Sequence, residues 1–233
     1  MKGKNMIEFL FLDLDDTILD FHKAERIALA KTLHGFGLEP AEPVLQRYHN
    51  INKWHWEQLE LGEMTRDQVL TGRFRMLFEE QGIAADPEAV QACYEKNLSI
   101  GHYFLPGAEE AVETLSKKYR LFLASNGTAV VQKGRMTSAN LYRFFEKVYV
   151  SQEIGHNKPS KTYFDACFAQ IPDFDREKAM IVGDSLSSDI KGGNNAGIKT
   201  CWVNPGHLPR NPQIRVDYEI EALSQLPQLL ETL

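Results

Sequence analysis

The stretch FLFLDLDDTILDF (residues 9–21) runs four apolar residues into three aspartates within four positions and then returns to apolar side chains. An apolar run can continue a buried strand through Leu12, but consecutive carboxylates cannot stay inside it without compensation. They belong at the carboxyl end of the strand, and in an open parallel sheet that edge is where ligands bind. Asp13 and Asp15 are two apart, so extended backbone leans both to one side and turns Asp16 away.

Further short apolar runs follow the same pattern: RLFLAS (120–125), KVYVS (147–151), AMIVGD (179–184) and KTCWVN (199–204), with IEFLFLD (7–13) as the first. Stretches of helical length and period separate them, among them GAEEAVETLSKKY, VVQKGRMTSANLY, SKTYFDACFAQI and SSDIKGGNNAGI. That alternation predicts an α/β fold, a parallel sheet covered by helices on both faces. The exception lies after the first strand, where residues 19–99 carry no strand signal but several amphipathic patterns, including KAERIALAKTLHGFG and TRDQVLTGRFRMLFEEQG. Gly35, Gly37, Gly62 and Gly82 with Pro87 punctuate them as turns. The expected organisation is therefore a core of residues 1–18 and 100–233 with an all-helical insertion of about four helices at 19–99.

Composition narrows the partners. The 233-residue chain is 43% hydrophobic and 25% charged, ordinary for a globular protein, and its formal charge of −6 argues against general attraction to nucleic acid or anionic membrane. Cys93, Cys167 and Cys201 lie far apart with no CxxC spacing, which suggests neither a disulfide framework nor a zinc site and fits a reducing compartment. The start, MKGKNMIEFLFLDLDD, resembles a signal peptide, but Glu8 interrupts the apolar run and Asp13 ends it. No other run approaches the roughly 18 apolar residues of a membrane span, so the expected location is the cytoplasm.

A second acidic group stands in MIVGDSLSSDIKGG, where an apolar strand ends in Asp184 and Asp189 follows near a helix start. Neighbouring parallel strands would bring both groups together, and two like charges about 4 Å apart cost roughly 4 kcal/mol at an effective dielectric near 20. Such a cluster demands a cation, and oxygen-only ligands at a partly hydrated site suit magnesium. LFLASNGT places Ser125 and Asn126 where another strand gives way to a loop, and GHNKPSKTYF offers Lys158 just before Pro159, which holds the preceding residue out of helical geometry. A carboxylate nucleophile, a carboxylate acid/base, a divalent metal, polar donors and a lysine can together transfer a phosphoryl group.

DLDDT, SN, KP and GDSLSSD, in this order and at these strand ends, resemble the four motifs of the haloacid dehalogenase superfamily, most of whose members are magnesium-dependent phosphohydrolases. The resemblance covers the whole core, and the helical insertion matches the superfamily's C1-type cap on a three-layer, Rossmann-like core. Within the superfamily, INKWHWEQLELGEMTRDQVLTGRF and SDIKGGNNAGIKTCWVNPGH resemble the YjjG-like pyrimidine 5′-nucleotidases. The resemblance implies that Asp13 attacks phosphorus and that Asp15 serves as leaving-group acid and then as base. It implies one Mg2+ per active site, held by Asp13, the Asp15 carbonyl and Asp184, with Asp189 behind them. Ser125, Asn126 and Lys158 would hold the phosphoryl oxygens, and Thr17 would orient the loop. The expected partner is a small phosphorylated substrate, with no nucleic acid polymer and no membrane; monomer or homodimer is left open.

Other readings of the same residues are weaker. GHNKPSKT lacks the glycine directly before the lysine of a P-loop, GGNNAG is too loose for a dinucleotide fingerprint and reads better as helix packing, and the seven histidines form no HExxH spacing. Trp54 and Trp56 cannot share one helix face, so one is expected in the core of the insertion, while a place for the other at the entrance is the weaker reading; Arg73 reads as a solvated helix arginine. Three rival functions stay open. Metal-free 2-haloacid dehalogenation needs neither Asp15 nor the acidic metal site. A phospho-aspartate receiver lacks a large insertion. A sugar-phosphate mutase would share the chemistry, and a phosphatase acting on a sugar phosphate or phosphoglycolate differs only in leaving group.

Overall fold

The computed structural model describes residues 7–233; residues 1–6, where the expected core segment and the leader-like start begin, lie outside the described residues. In chain order the elements are β1 (Phe9–Leu12), α1 (Phe21–Gly35), α2 (Glu42–Leu61), α3 (Arg66–Gln81), α4 (Pro87–Leu98), α5 (Ala108–Ser116), β2 (Arg120–Ser125), α6 (Ala129–Ser138), β3 (Lys147–Val150), α7 (Ser151–Ile154), α8 (Lys161–Phe168), β4 (Ala179–Gly183), α9 (Lys191–Ala196), β5 (Lys199–Val203), β6 (Tyr218–Ile220) and α10 (Leu226–Glu231). The expected strands form within a residue or two of their anticipated ends, because each is a run of apolar residues long enough to cross a covered sheet. The edge strand β6 was not anticipated.

The strands make one sheet in the order β3-β2-β1-β4-β5-β6, and every neighbouring pair is parallel. Alternation along the strands sorts the core into two layers. Leu10, Leu12, Leu121, Leu123, Met180 and Val182 face one side and pack with Ala111, Val112 and Leu115 of α5 and Leu226 and Leu230 of α10. Phe9, Phe11, Phe122, Ala124 and Ile181 face the other and pack with Tyr163, Phe164, Cys167 and Phe168 of α8 and Ala196 of α9. The chain leaves β1 towards β2 and leaves β4 towards β5, in opposite directions, so the crevice between the carboxyl ends of β1 and β4 is the topological switch point.

Helices α1–α4 close around a third cluster that includes Ala28, Leu29, Tyr48, Phe74, Leu77 and Tyr94 and reaches Val131 of α6. Their ends are set by ordinary capping chemistry. Asp20 accepts from Lys23 N at the start of α1, Thr65 and Gln68 form a capping box on α3, and Gly62 and Gly82 end α2 and α3 in left-handed geometry. The two chain segments joining these helices to the sheet pair with each other: Asp20 N donates to Tyr103 O at 2.8 Å and Leu105 N to Ile18 O at 3.0 Å.

Gly192 and Gly193 of GGNNAG serve packing, as their sequence context suggested, while Gly197 ends α9 in left-handed geometry. A Cβ on Gly193 would approach Ile181 Cγ2 and Thr200 Cγ2 to 2.6 Å, so α9 lies on β4 and β5 at a distance that only glycine permits. Gly193→Ala should therefore lower unfolding free energy by about 1–3 kcal/mol through overpacking, read as a lower urea midpoint at unchanged slope; an unchanged midpoint would contradict this packing.

Candidate active site

The acidic groups meet at the switch point. Asp13 continues the β1–β4 pairing one residue past the strand, its N–H donating to Val182 O at 2.9 Å, and Asp184 follows the last residue of β4 directly. Asp189 comes one widened helical turn later, on Leu186–Ile190, and its Oδ2 accepts from Ser185 N at 3.2 Å. One carboxylate oxygen from each of Asp13, Asp184 and Asp189 lies within 4.8 Å of the others. Gly183 makes room for this, since a Cβ there would overlap the Asp189 carboxylate.

Lys158 enters from the loop between α7 and α8, and its peptide bond to Pro159 is cis. The buried ammonium donates to Asp13 Oδ1 at 2.7 Å, Asp189 Oδ1 at 2.6 Å and the Ala124 carbonyl at 2.6 Å. All three of its hydrogens are used. Burial alone would lower the pKa of this lysine, but Asp13 and Asp189 outweigh it and raise it.

That one ammonium bonds two of the three carboxylates, Asp13 and Asp189, so the cluster is short of positive charge. Burial pushes Asp13 up to about 8 against the pull of Lys158. Burial, then Asp13 and Asp189, drives Asp184 well above the usual carboxylate range. An all-oxygen cluster carrying more negative charge than its lysine can offset fits a hard divalent cation.

Asp15 is held from the helix that follows β2. Gln132 Nε2 donates to Asp15 Oδ2 at 2.7 Å, and the Arg135 guanidinium, wholly buried, donates to Asp15 Oδ1. Arg135 is itself anchored by Nε donating to Gly101 O at 2.9 Å. Both residues escaped the sequence reading, since a polar residue on a helix has solvent as its default; their spacing of three, which puts them on one face of α6, was the available signal.

Ser125 Oγ sits in the pocket, accepting from Gln132 Nε2 at 2.7 Å and Gly127 N at 3.1 Å. The Asn126 side chain is occupied differently from the expected phosphoryl contact: Oδ1 accepts from Lys158 N at 2.8 Å and Nδ2 donates to Lys158 O at 2.9 Å, so it holds the lysine's backbone. Thr17 Oγ1 is buried with no hydrogen-bond partner among the described residues, and Asp16 does the turn's work instead. Asp16 adopts φ 52°, which ends the extended alternation, and its Oδ1 accepts from Phe21 N at 2.9 Å. Burial first, then Asp15, raises it to about 6 despite His22.

The crevice opens into a cavity of about 440 Å³ whose far wall belongs to α1–α4, with His22, His49, Asn52 and Trp56 lining it. Trp54 is exposed and Trp56 half-buried, so neither fills the helical core; His55 between them does, because it is the residue on the inward face. Arg73, expected in solvent, is buried, with NH1 donating to Asn52 Oδ1 at 2.7 Å and NH2 to Gln91 Oε1 at 2.8 Å. Asn52 Nδ2 passes the network on to Glu25 Oε1 at 2.7 Å.

Comparison with known proteins agrees with this architecture. Residues 10–203 match the model of the haloacid dehalogenase-like hydrolase family. The chain is 38% identical to the HAD-hydrolase YfnB of Bacillus subtilis, over 95% of this chain and 94% of that protein. It is 34% identical to the pyrimidine 5′-nucleotidase PynA of Streptococcus pneumoniae, over 96% and 95%, and 28% identical to the pyrimidine 5′-nucleotidase YjjG of Escherichia coli, over 96% and 97%. A crystal structure of YfnB, described as bound to magnesium and as revealing interdomain movement, superposes with a TM-score of 0.92 over 97% of this chain and 99% of that one. With the motif residues gathered at the sheet's switch point, these similarities make the chain a member of the haloacid dehalogenase-like hydrolases.

Proposed function

We propose that this hydrolase is a magnesium-dependent phosphatase for small phosphate monoesters, pyrimidine nucleoside 5′-monophosphates in particular, acting through an aspartyl-phosphate intermediate in the cytoplasm. The observation that carries the reading is the cluster of Asp13, Asp184 and Asp189, two of which bond a single buried ammonium. Asp13, the Asp15 carbonyl and Asp184 would hold one Mg2+, and when bound it would supply positive charge opposite the phosphoryl oxygens.

In this reading a carboxylate oxygen of Asp13 attacks phosphorus as the bond to the leaving oxygen breaks. Lys158, fixed by Asp13, Asp189 and Ala124, keeps the nucleophile's orientation and faces the transferred group with a cation. Asp15, held by Gln132 and Arg135, gives its proton to the departing alcohol. It then takes a proton from the water that attacks the aspartyl phosphate, releasing inorganic phosphate and restoring the Asp13 carboxylate and the protonated Asp15. Ser125 Oγ offers a hydroxyl to the phosphoryl oxygens.

Support for a nucleoside leaving group comes from two named relatives, PynA and YjjG, which match along nearly their whole length. The cavity wall adds to it, because Trp56 offers an aromatic face and His49 and Asn52 offer polar edges. Free thiols at Cys93, Cys167 and Cys201 fit a reducing compartment.

Phosphate release from a panel of nucleoside monophosphates, sugar phosphates and phosphoglycolate, with and without Mg2+, tests the assignment. Pyrimidine 5′-monophosphates should lead the panel, and excess chelator should stop turnover; an isomeric phosphate ester as product, or halide release from a 2-haloacid, would point elsewhere. Asp13→Asn should abolish turnover and incorporation of phosphate into the protein. Asp15→Asn should lower the single-turnover rate of Asp13 phosphorylation by about 10²–10⁴-fold with a nucleotide but far less with p-nitrophenyl phosphate, whose leaving group needs no proton; equal losses in that step would deny Asp15 the acid's role.

A further inference from the structure

Arg66 is the first residue of α3, directly after the Thr65 cap. A cation there opposes the helix dipole, so helix stability does not explain it. Its guanidinium instead crosses to the sheet side of the crevice. NH1 donates to the carbonyls of Asn126 at 2.8 Å and Gly127 at 3.1 Å, and NH2 donates to Ser151 Oγ at 2.6 Å and Asn157 Oδ1 at 2.8 Å. The Trp56 ring packs against the guanidinium, 5.5 Å from centroid to Cζ.

The four acceptors are not scattered. Asn126 and Gly127 form the loop that carries Ser125, and Asn157 is the residue before Lys158. The Asn126 amide already ties these loops together through both backbone groups of Lys158, and Arg66 closes the same junction from the helical side. Arg66 does not line the cavity, and both terminal nitrogens are committed to protein acceptors, so it is not poised to receive a phosphate. On the other side of the crevice, Glu60 near the end of α2 accepts from Ser187 Oγ at 2.7 Å, on the turn between Asp184 and Asp189.

We infer that Arg66 is a positioning residue: by bracing the Ser125–Gly127 loop against the Asn157–Lys158 loop, it makes seating of the helical insertion a condition for aligning the ammonium and hydroxyl with the nucleophile. The kinetic form of this inference rests on the phosphatase reading. Lysine cannot replace the brace, because one ammonium lacks the planar fork that reaches four acceptors on two loops.

The test compares wild type, Arg66→Ala and Arg66→Lys with p-nitrophenyl phosphate and the preferred nucleotide, alongside hydrogen exchange of the Gly127 and Lys158 amides. Arg66→Ala should lose about 10²-fold in kcat on both substrates, the scale of a small misalignment, with KM and melting temperature nearly unchanged. Arg66→Lys should recover little. Millimolar guanidinium ion should restore part of the turnover of Arg66→Ala and none of Asp13→Asn, and both amides should exchange faster in Arg66→Ala. Wild-type kcat with a raised KM for the nucleotide alone would make Arg66 a leaving-group contact and overturn the inference, as would unchanged amide exchange. If wild type turns over no phosphate ester, the phosphatase reading fails separately, and the exchange rates still decide whether the brace exists.

Discussion

A buried ammonium shared by two carboxylates is the constraint on which the rest of the molecule depends. Lys158 bonds Asp13 and Asp189 at once where almost no water reaches. Taking such charges out of water is costly, and removing one partner of a buried pair commonly destabilises by about 3–5 kcal/mol because the other is left uncompensated. The sheet order makes the arrangement possible, since adjacent parallel strands β1 and β4 deliver Asp13 and Asp184 to the same edge. The turn after β4 then folds Asp189 back over Gly183, and the Asn126 amide fixes where the Lys158 backbone stands. The negative charge that remains beyond what one ammonium offsets fits a hard divalent cation beside Asp13 and Asp184.

Around that centre the helical insertion supplies the far wall of the cavity. Its wall carries a buried polar chain from Glu25 through Asn52 and Arg73 to Gln91, in which each bond restrains the next side chain along it. Asn52 is both a member of that chain and part of the cavity surface, so this stretch of the cavity wall is held from behind by Glu25 and Arg73. The paired segments at Ile18–Asp20 and Tyr103–Leu105 give the insertion a narrow, hydrogen-bonded attachment to the sheet.

Much of this was legible in the sequence, for a physical reason. Strands buried on both faces must be nearly all apolar, so FLFL, RLFLAS and AMIVG announce themselves, and a carboxylate that ends such a run has few places to go. The same logic fails for β6, whose short YEI carries a charge because an edge strand has a solvent-facing side. It fails again where a polar residue is buried by partners distant in sequence. Arg135, Gln132 and Arg73 look like surface helix residues until Asp15, Asn52 and Gln91 arrive beside them, and Asn126 looked like a phosphate ligand because its bond to Lys158 spans two loops. Local pattern reports exposure, whereas these positions are set by tertiary pairing.

The central claim, that three carboxylates and one ammonium form a single cation-requiring pocket, is tested most directly by calorimetric titration of Mg2+ into the metal-free protein and into Asp184→Asn. One ion should bind per chain of the wild type, raising its melting temperature by mass action, while Asp184→Asn shows neither heat nor shift. Equal binding by both proteins, or no binding by the wild type, would contradict the account.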